Sequence, residues 1–92
     1  MRKFFFHLVY DDRTADDLEG SDLLDLETAY VEAKAIIREF AAAHLTTGKP
    51  FLLRGVRIGS QSGRVLAEVS AAEGISEIIP PGLFAEHSLP QA

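Results

Sequence analysis

The strongest pattern in the sequence is a series of apolar residues at helical spacing. Asp25 is placed to cap the N-terminus of this helix, and Gly48 followed by Pro50 supplies a stop. The apolar stripe is about 120° wide on a helical wheel, and it consists of Leu26, Ala29, Tyr30, Ala33, Ile36, Ile37, Phe40 and His44. The pattern predicts an amphipathic helix of about 20 residues that lies on an apolar surface.

Shorter segments show the alternation of apolar and polar positions that is typical of β-strands. The first, Phe4–Tyr10, is aromatic and is followed by acidic residues that favour a turn. Phe51–Gly59 and Arg64–Ser70 flank a turn in which Gly63 suits a left-handed backbone, so they are predicted to form a hairpin. A short edge strand is predicted within Thr14–Leu18.

These elements predict an α+β domain in which one long helix packs on one face of a small antiparallel sheet. The expected sheet has three or four strands, in the chain order β, optional short β, α, β, β. We assign residues 1–72 to this domain and residues 73–92 to a C-terminal extension, with a short helix around Ile75–Ile79 and then a flexible tail. A chain of 92 residues leaves no room for a second domain.

The first strand is apolar on both faces, whereas one helix covers only one face of a sheet. One set of alternating residues consists of Phe4, Phe6, Leu8 and Tyr10. We expect the opposite face to be covered by the C-terminal segment, by a second copy of the chain or by a protein partner. The candidate interaction surface on that side consists of Phe5, His7, Val9, Arg54 and Arg57.

Composition and charge exclude several classes of function. The chain has no cysteine, which excludes disulfides, thiolate nucleophiles and Cys-ligated metals. Nine Lys and Arg against fourteen Asp and Glu give a net charge of −5, which disfavours nucleic acid and anionic membranes as partners. The apolar run at the N-terminus is interrupted by His7 and is too short for a membrane span. We therefore expect a cytoplasmic protein without a membrane partner, and the charge disfavours nucleic acid.

No motif in the chain predicts a catalytic, metal or cofactor site. The three histidines are too widely separated for a zinc signature. The acidic stretch of residues 11–22 fits no EF-hand register, because glycine is missing where the calcium loop needs it. Gly48 and Lys49 suggest a phosphate-binding loop, but Pro50 stands where Ser or Thr is required. We expect no cofactor, and the sequence leaves any small-molecule ligand open.

Several short motifs resemble those of a known family. They are Arg2–His7, Glu19–Gly20, the helix start at Leu24–Ala33 and the hairpin residues Ser62–Leu66. Over about residues 2–70 the chain resembles the small bacterial "YFFH" domain of unknown function, although it has Phe in place of the usual Tyr near the start and a longer C-terminal extension. The resemblance implies a bacterial protein whose relatives have no assigned activity.

The sequence favours a non-enzymatic interaction or regulatory module whose partner is a second copy or another protein. A more distant likeness to antitoxins implies an alternative, in which the partner is a small RNase toxin. Two lesser alternatives stay open. The aromatic strand, with Lys3, Arg54, Arg57 and Arg64 near it, is one candidate for an RNA-binding sheet, and His7 with the acidic stretch is one for a small enzyme.

Overall fold

An open antiparallel sheet with one long helix packed against it forms the fold, as the sequence predicts. The computed structural model describes residues 1–76, and the statements below concern those residues. Their elements are, in order, β1 (Arg2–Tyr10), β2 (Thr14–Ala15), β3 (Ser21–Leu23), α1 (Leu26–Thr47), β4 (Leu53–Ser60), β5 (Val65–Ser70) and α2 (Ala71–Ser76). The fold class is thus α+β, and the sheet within residues 1–76 has five strands.

β1 is the centre of the sheet, and its two edges are used differently. One edge pairs with β4 along almost its whole length, and β4 in turn pairs with β5 in the predicted hairpin. The other edge is shared by two short strands: β3 pairs with the first residues of β1, and β2 pairs at Leu8 and Val9. Between β2 and β3 the chain forms a loop, residues 16–20, that borders the middle of β1.

The two ends of α1 lie where the sequence predicts them. Oδ1 of Asp25 accepts a hydrogen bond from the backbone N–H of Thr28 at 2.8 Å and from the Thr28 hydroxyl at 2.7 Å. These two bonds lower the pKa of Asp25 below its ordinary value. At the other end Gly48 adopts φ 76°, and its N–H donates to the carbonyl of His44 at 2.8 Å.

The core lies between α1 and the inner face of the sheet. Its buried residues are Phe4, Phe6, Ala29, Ala33, Ile37, Leu53, Val56, Ile58, Val69 and Ala71. The inner set predicted for β1 and the apolar stripe predicted for α1 therefore meet each other. No helix within residues 1–76 combines the length and the apolar character needed to cross a membrane.

The hairpin departs from simple alternation at one point. The register between β4 and β5 shifts after Ile58, so that Gly59 pairs with Val65 while Leu66 packs against the core. Val65 is 59% exposed as a result. Regular alternation along Arg64–Ser70 predicts Val65 on the same face as Ala67 and Val69, and this prediction is wrong because the bulge is not visible in a period-two pattern.

α2 follows β5 directly and begins before the predicted helical turn. Ser70 and Glu73 form a capping box, in which the Ser70 hydroxyl accepts from the Glu73 N–H at 3.0 Å and the Glu73 carboxylate accepts from the Ser70 N–H at 3.3 Å. The helix packs on α1, where Gly74 faces Ile37. Of the predicted turn around Ile75–Ile79, the last three residues lie outside the described residues, as does the predicted tail.

The short edge strands also differ from the expectation. The strand predicted within Thr14–Leu18 is present only at Thr14–Ala15, and the pairing of Ser21–Leu23 with β1 was not predicted. Strands this short carry too few residues for an alternation pattern to be recognised.

Candidate functional site

The sheet face opposite α1, called the open face below, is built from three cross-strand rows. The rows are Phe5–Gly59–Val65, His7–Arg57–Glu68 and Val9–Gly55–Ser70. Cross-strand partners share a face of the sheet, so the charged row lies between two rows that carry the apolar side chains. Arg54 borders the same face at a hollow of about 180 Å³ that Val9, Gly55, Glu68, Ser70 and Glu73 also line. The structure therefore brings all five residues of the predicted interaction surface together.

His7 lies next to Phe5 on the open face. Its ring stacks beside the ring of Phe5, with centroids 6.4 Å apart and an angle of 8° between the planes. A Cβ atom added to Gly59 would be 3.1 Å from Nε2 of His7. The glycine on β4 thus leaves the space that the imidazole uses.

The loop between β2 and β3 is fastened to β1 by Asp17. One oxygen of its carboxylate accepts from the Phe6 N–H at 3.0 Å, and the other accepts from the N–H groups of Glu19 and Gly20 at 3.2 and 3.1 Å. The Asp17 N–H donates to Nδ1 of His7 at 3.1 Å. Asp17 therefore provides a hydrogen-bond acceptor for the Phe6 N–H, at a position of β1 that pairs with neither short strand.

The charge state of Asp17 follows from these bonds. Burial by itself raises the pKa of the carboxyl group, but the N–H donors of Phe6, Gly20 and Glu19 outweigh burial, and the net effect is a lowered pKa. Because Nδ1 of His7 accepts a hydrogen bond, this nitrogen carries no proton in the structure. The pair is thus an ionised carboxylate next to a histidine nitrogen that serves as an acceptor.

Gly20 brings the same loop onto the open face. Its backbone has φ 74°, and an added Cβ would lie 2.9 Å from Cγ of Lys3 and 2.9 Å from Cε2 of Phe5. The loop therefore covers one side of the Phe5 ring with glycine backbone. This contact explains why Phe5 is half-buried although it faces away from the core.

The basic side chains near the open face are paired with carboxylates. Nε of Arg57 donates to Glu68 at 2.8 Å across β4 and β5. Arg54 pairs with Asp11, and Lys3 lies 3.7 Å from a carboxylate oxygen of Asp22. The charges on this face are therefore balanced, and three of the four basic residues predicted to form a positive edge have acidic partners.

A comparison with known protein families identifies the family of this domain. The model of a family described as Domain of unknown function (DUF6894) matches residues 3–72. The chain belongs to this family. The DUF6894 match covers nearly the same residues as the resemblance to the "YFFH" domain. The name of that domain and a bacterial origin stay predictions. No curated protein and no solved structure matches the chain.

The DUF6894 match contains the whole of the open face and the Asp17 loop. The five residues named from the sequence stay a prediction as an interaction surface, and the roles of Asp17, Gly20, Gly59 and Glu68 were not predicted. A signal for the first two does exist, because an Asp followed three residues later by Gly is typical of a turn closed by the Asp side chain. The roles of Gly59 and Glu68 depend on the pairing of β4 with its neighbours, which local sequence does not specify.

The remaining candidate groups have structural contacts. Nδ1 of His44 lies 2.9 Å from the carbonyl oxygen of Lys49, and the His44 ring meets the Phe51 ring edge-on at 5.4 Å. His7 and the acidic loop do come together, since Nδ1 lies 3.6 Å from a carboxylate oxygen of Asp16. Within the part of the chain that the structure describes, no cluster of three or more acidic or histidine residues has the arrangement of a metal site.

Proposed function

We propose that this DUF6894 domain is a non-enzymatic interaction module that pairs with a second copy of itself through the open face. The observation that carries the proposal is the layout of that face: an ion pair, Arg57 with Glu68, lies between apolar groups on either side. Phe5 and Val9 are half-buried, and Val65 is 59% exposed. Apolar groups of this kind gain free energy when a partner removes them from water.

The balance of charge favours a second copy as the occupant. A two-fold interface brings the same patch from both copies together, so the patch must complement itself. A two-fold axis that runs along the sheet between β4 and β5 sets Glu68 of each copy against the partner's Arg57. A strongly charged partner of either sign would find no matching excess of charge on this face.

The position of α2 also supports a separate chain as the cover. Ile75 packs against the core, and Gly74 faces Ile37 of α1, so α2 belongs to the helical side of the sheet. The sequence suggested that the C-terminal segment covers the open face. The part of this segment that the structure describes packs on the helical side instead.

Sedimentation equilibrium of the full chain over a range of concentrations tests the proposal. We expect a reversible change from the mass of one chain to that of two. Val65→Glu should weaken the dimer by about tenfold or more, because it places a charge where the two faces meet. Val31→Glu is the matched control, since Val31 is 64% exposed on α1. A single-chain mass at about 1 mM, or equal weakening by both variants, would overturn the proposal.

A further inference from the structure

A second surface of the molecule, on the helical side, combines an apolar floor with an acidic rim. It is a groove of about 410 Å³ between α1 and the loop that joins β2 to β3. Phe6, Leu8, Ile36 and Phe40 form its floor, and Asp16, Asp17, Glu32 and Glu39 form its rim, with Ala15 and Ser21 completing the lining. We call it the acidic groove.

The acidic groove exists because of the short edge strands. β2 and β3 have only two and three residues, and the groove lies between α1 and the loop that joins these two strands. Three of the four floor residues, Leu8, Ile36 and Phe40, are only half-buried although they pack against the core. Apolar surface is therefore left accessible at the base of the groove.

Within residues 1–76 the carboxylates of the rim have no Lys or Arg partner, although Nδ1 of His7 lies 3.6 Å from a carboxylate oxygen of Asp16. Four Lys or Arg side chains pair with other acids: Lys3–Asp22, Arg13–Asp12, Arg54–Asp11 and Arg57–Glu68. Within residues 1–76 neither Glu32 nor Glu39 has a cationic partner. Asp17 is held by backbone N–H donors, which add no positive charge to the rim.

We propose that the acidic groove binds a basic amphipathic helix of another protein. The apolar floor accepts the hydrophobic side of such a helix, and the rim carboxylates accept Lys or Arg side chains from its flanks. Glu32 and Glu39 are separated by two turns of α1, or about 10 Å, with Ile36 between them. A helix that lies beside α1 matches this spacing when its basic residues are seven positions apart and its apolar residues lie between them.

Two other occupants fit the groove less well. Residues 77–92 of the same chain contain two Glu, one His and no Lys or Arg, so this segment is not a basic partner for the rim. A second copy is accommodated at the open face, where Arg57 and Glu68 complement each other, and its nine Lys and Arg against fourteen Asp and Glu give it no excess of basic side chains for the rim. The groove therefore selects a partner that is basic and apolar at once, and it lies on the opposite side of the sheet from the open face.

Binding of a designed peptide to the full chain tests this inference. The probe is a peptide of about 18 residues with Lys at every seventh position and Leu at the three- and four-residue steps between. In the 15N-labelled protein we expect it to shift the amide signals of Phe6, Leu8 and residues 15–21. Spermine is the control for positive charge alone, because it cannot use the apolar floor.

Paired variants separate the groove from general attraction to an acidic protein. Glu32→Gln with Glu39→Gln should weaken peptide binding by about fivefold. Asp12→Asn with Glu27→Gln removes the same charge outside the groove and should change binding by less than about twofold. Absence of binding at about 1 mM peptide, equal weakening by both pairs, or equal shifts with spermine would each overturn the inference.

Discussion

The backbone N–H of Asp17 donates a 3.1 Å hydrogen bond to Nδ1 of His7. This bond joins the open face to the loop that borders the acidic groove, because the His7 ring lies on one and Asp17 lines the other. The carboxylate of Asp17 binds the Phe6 N–H at the same time. Two neighbouring residues of β1 therefore bind Asp17: Phe6 binds its carboxylate, and His7 binds its backbone N–H.

Replacement of His7 tests how much the acceptor nitrogen contributes to stability. His7→Phe keeps a flat ring but leaves the Asp17 N–H without its acceptor, and we expect the free energy of unfolding to fall by about 1 kcal/mol. His7→Asn should lose less, because the amide oxygen of Asn stands near the position of Nδ1. Urea unfolding measures both variants. Equal stability of the wild-type chain and His7→Phe would contradict the role assigned to this bond.

The ionised form of Asp17 contributes stability that depends on pH. Its pKa is lowered from 3.8 in the folded chain, so the contribution is fully present above the unfolded value and is lost as pH falls through the folded one. Asp17→Asn should cost about 1 to 2 kcal/mol at neutral pH. The difference from the wild-type chain should shrink below about pH 4. Urea unfolding at a series of pH values measures it.

Asp25 provides the control for that pH series. Its pKa is also lowered, by the hydrogen bonds from Thr28, so the wild-type chain loses stability in acid for two reasons. The difference between wild type and Asp17→Asn isolates the first reason, because Asp25 is the same in both. A difference that stays constant down to about pH 2 would show that the charge of Asp17 has no part in it.

Gly20 should be less tolerant of a side chain than other glycines with positive φ. Gly20→Ala combines a left-handed backbone with contacts of 2.9 Å to Lys3 and Phe5. Gly48→Ala has a similar φ of 76° but nothing within 4 Å of the new Cβ. We expect Gly48→Ala to cost about 1 kcal/mol and Gly20→Ala at least about 1 kcal/mol more, by thermal or urea unfolding. Equal costs would mean that the loop does not pack on Phe5.

The sequence predicted the elements whose own residues determine them. The ends of α1 follow from Asp25 and Gly48, because a side-chain acceptor and a left-handed glycine act locally. The two faces of β1 follow from strict alternation in a strand. Phe5, His7 and Val9 share a face for the same reason, whereas Arg54 borders that face at a register shift between β1 and β4.

Features that depend on pairing between distant strands could not be predicted from the sequence. The bulge that exposes Val65 arises where β5 meets Gly59, and no local pattern distinguishes it from regular alternation. The acidic groove depends on how far β2 and β3 extend beside β1. The acidic stretch of residues 11–22 matched no motif in the sequence, whereas Asp17 within it accepts a hydrogen bond from the Phe6 N–H of β1.

Intermolecular NOEs in a mixture of 13C-labelled and unlabelled chains test the central claim, self-association through the open face, most directly. We predict contacts between copies from the methyl groups of Val65, which lies on β5 beside the proposed two-fold axis and opposite Gly59 of the other copy. The methyl groups of Val31 and Leu45, exposed on α1, should show none. Intermolecular contacts confined to α1, or their complete absence at about 1 mM protein, would contradict the account.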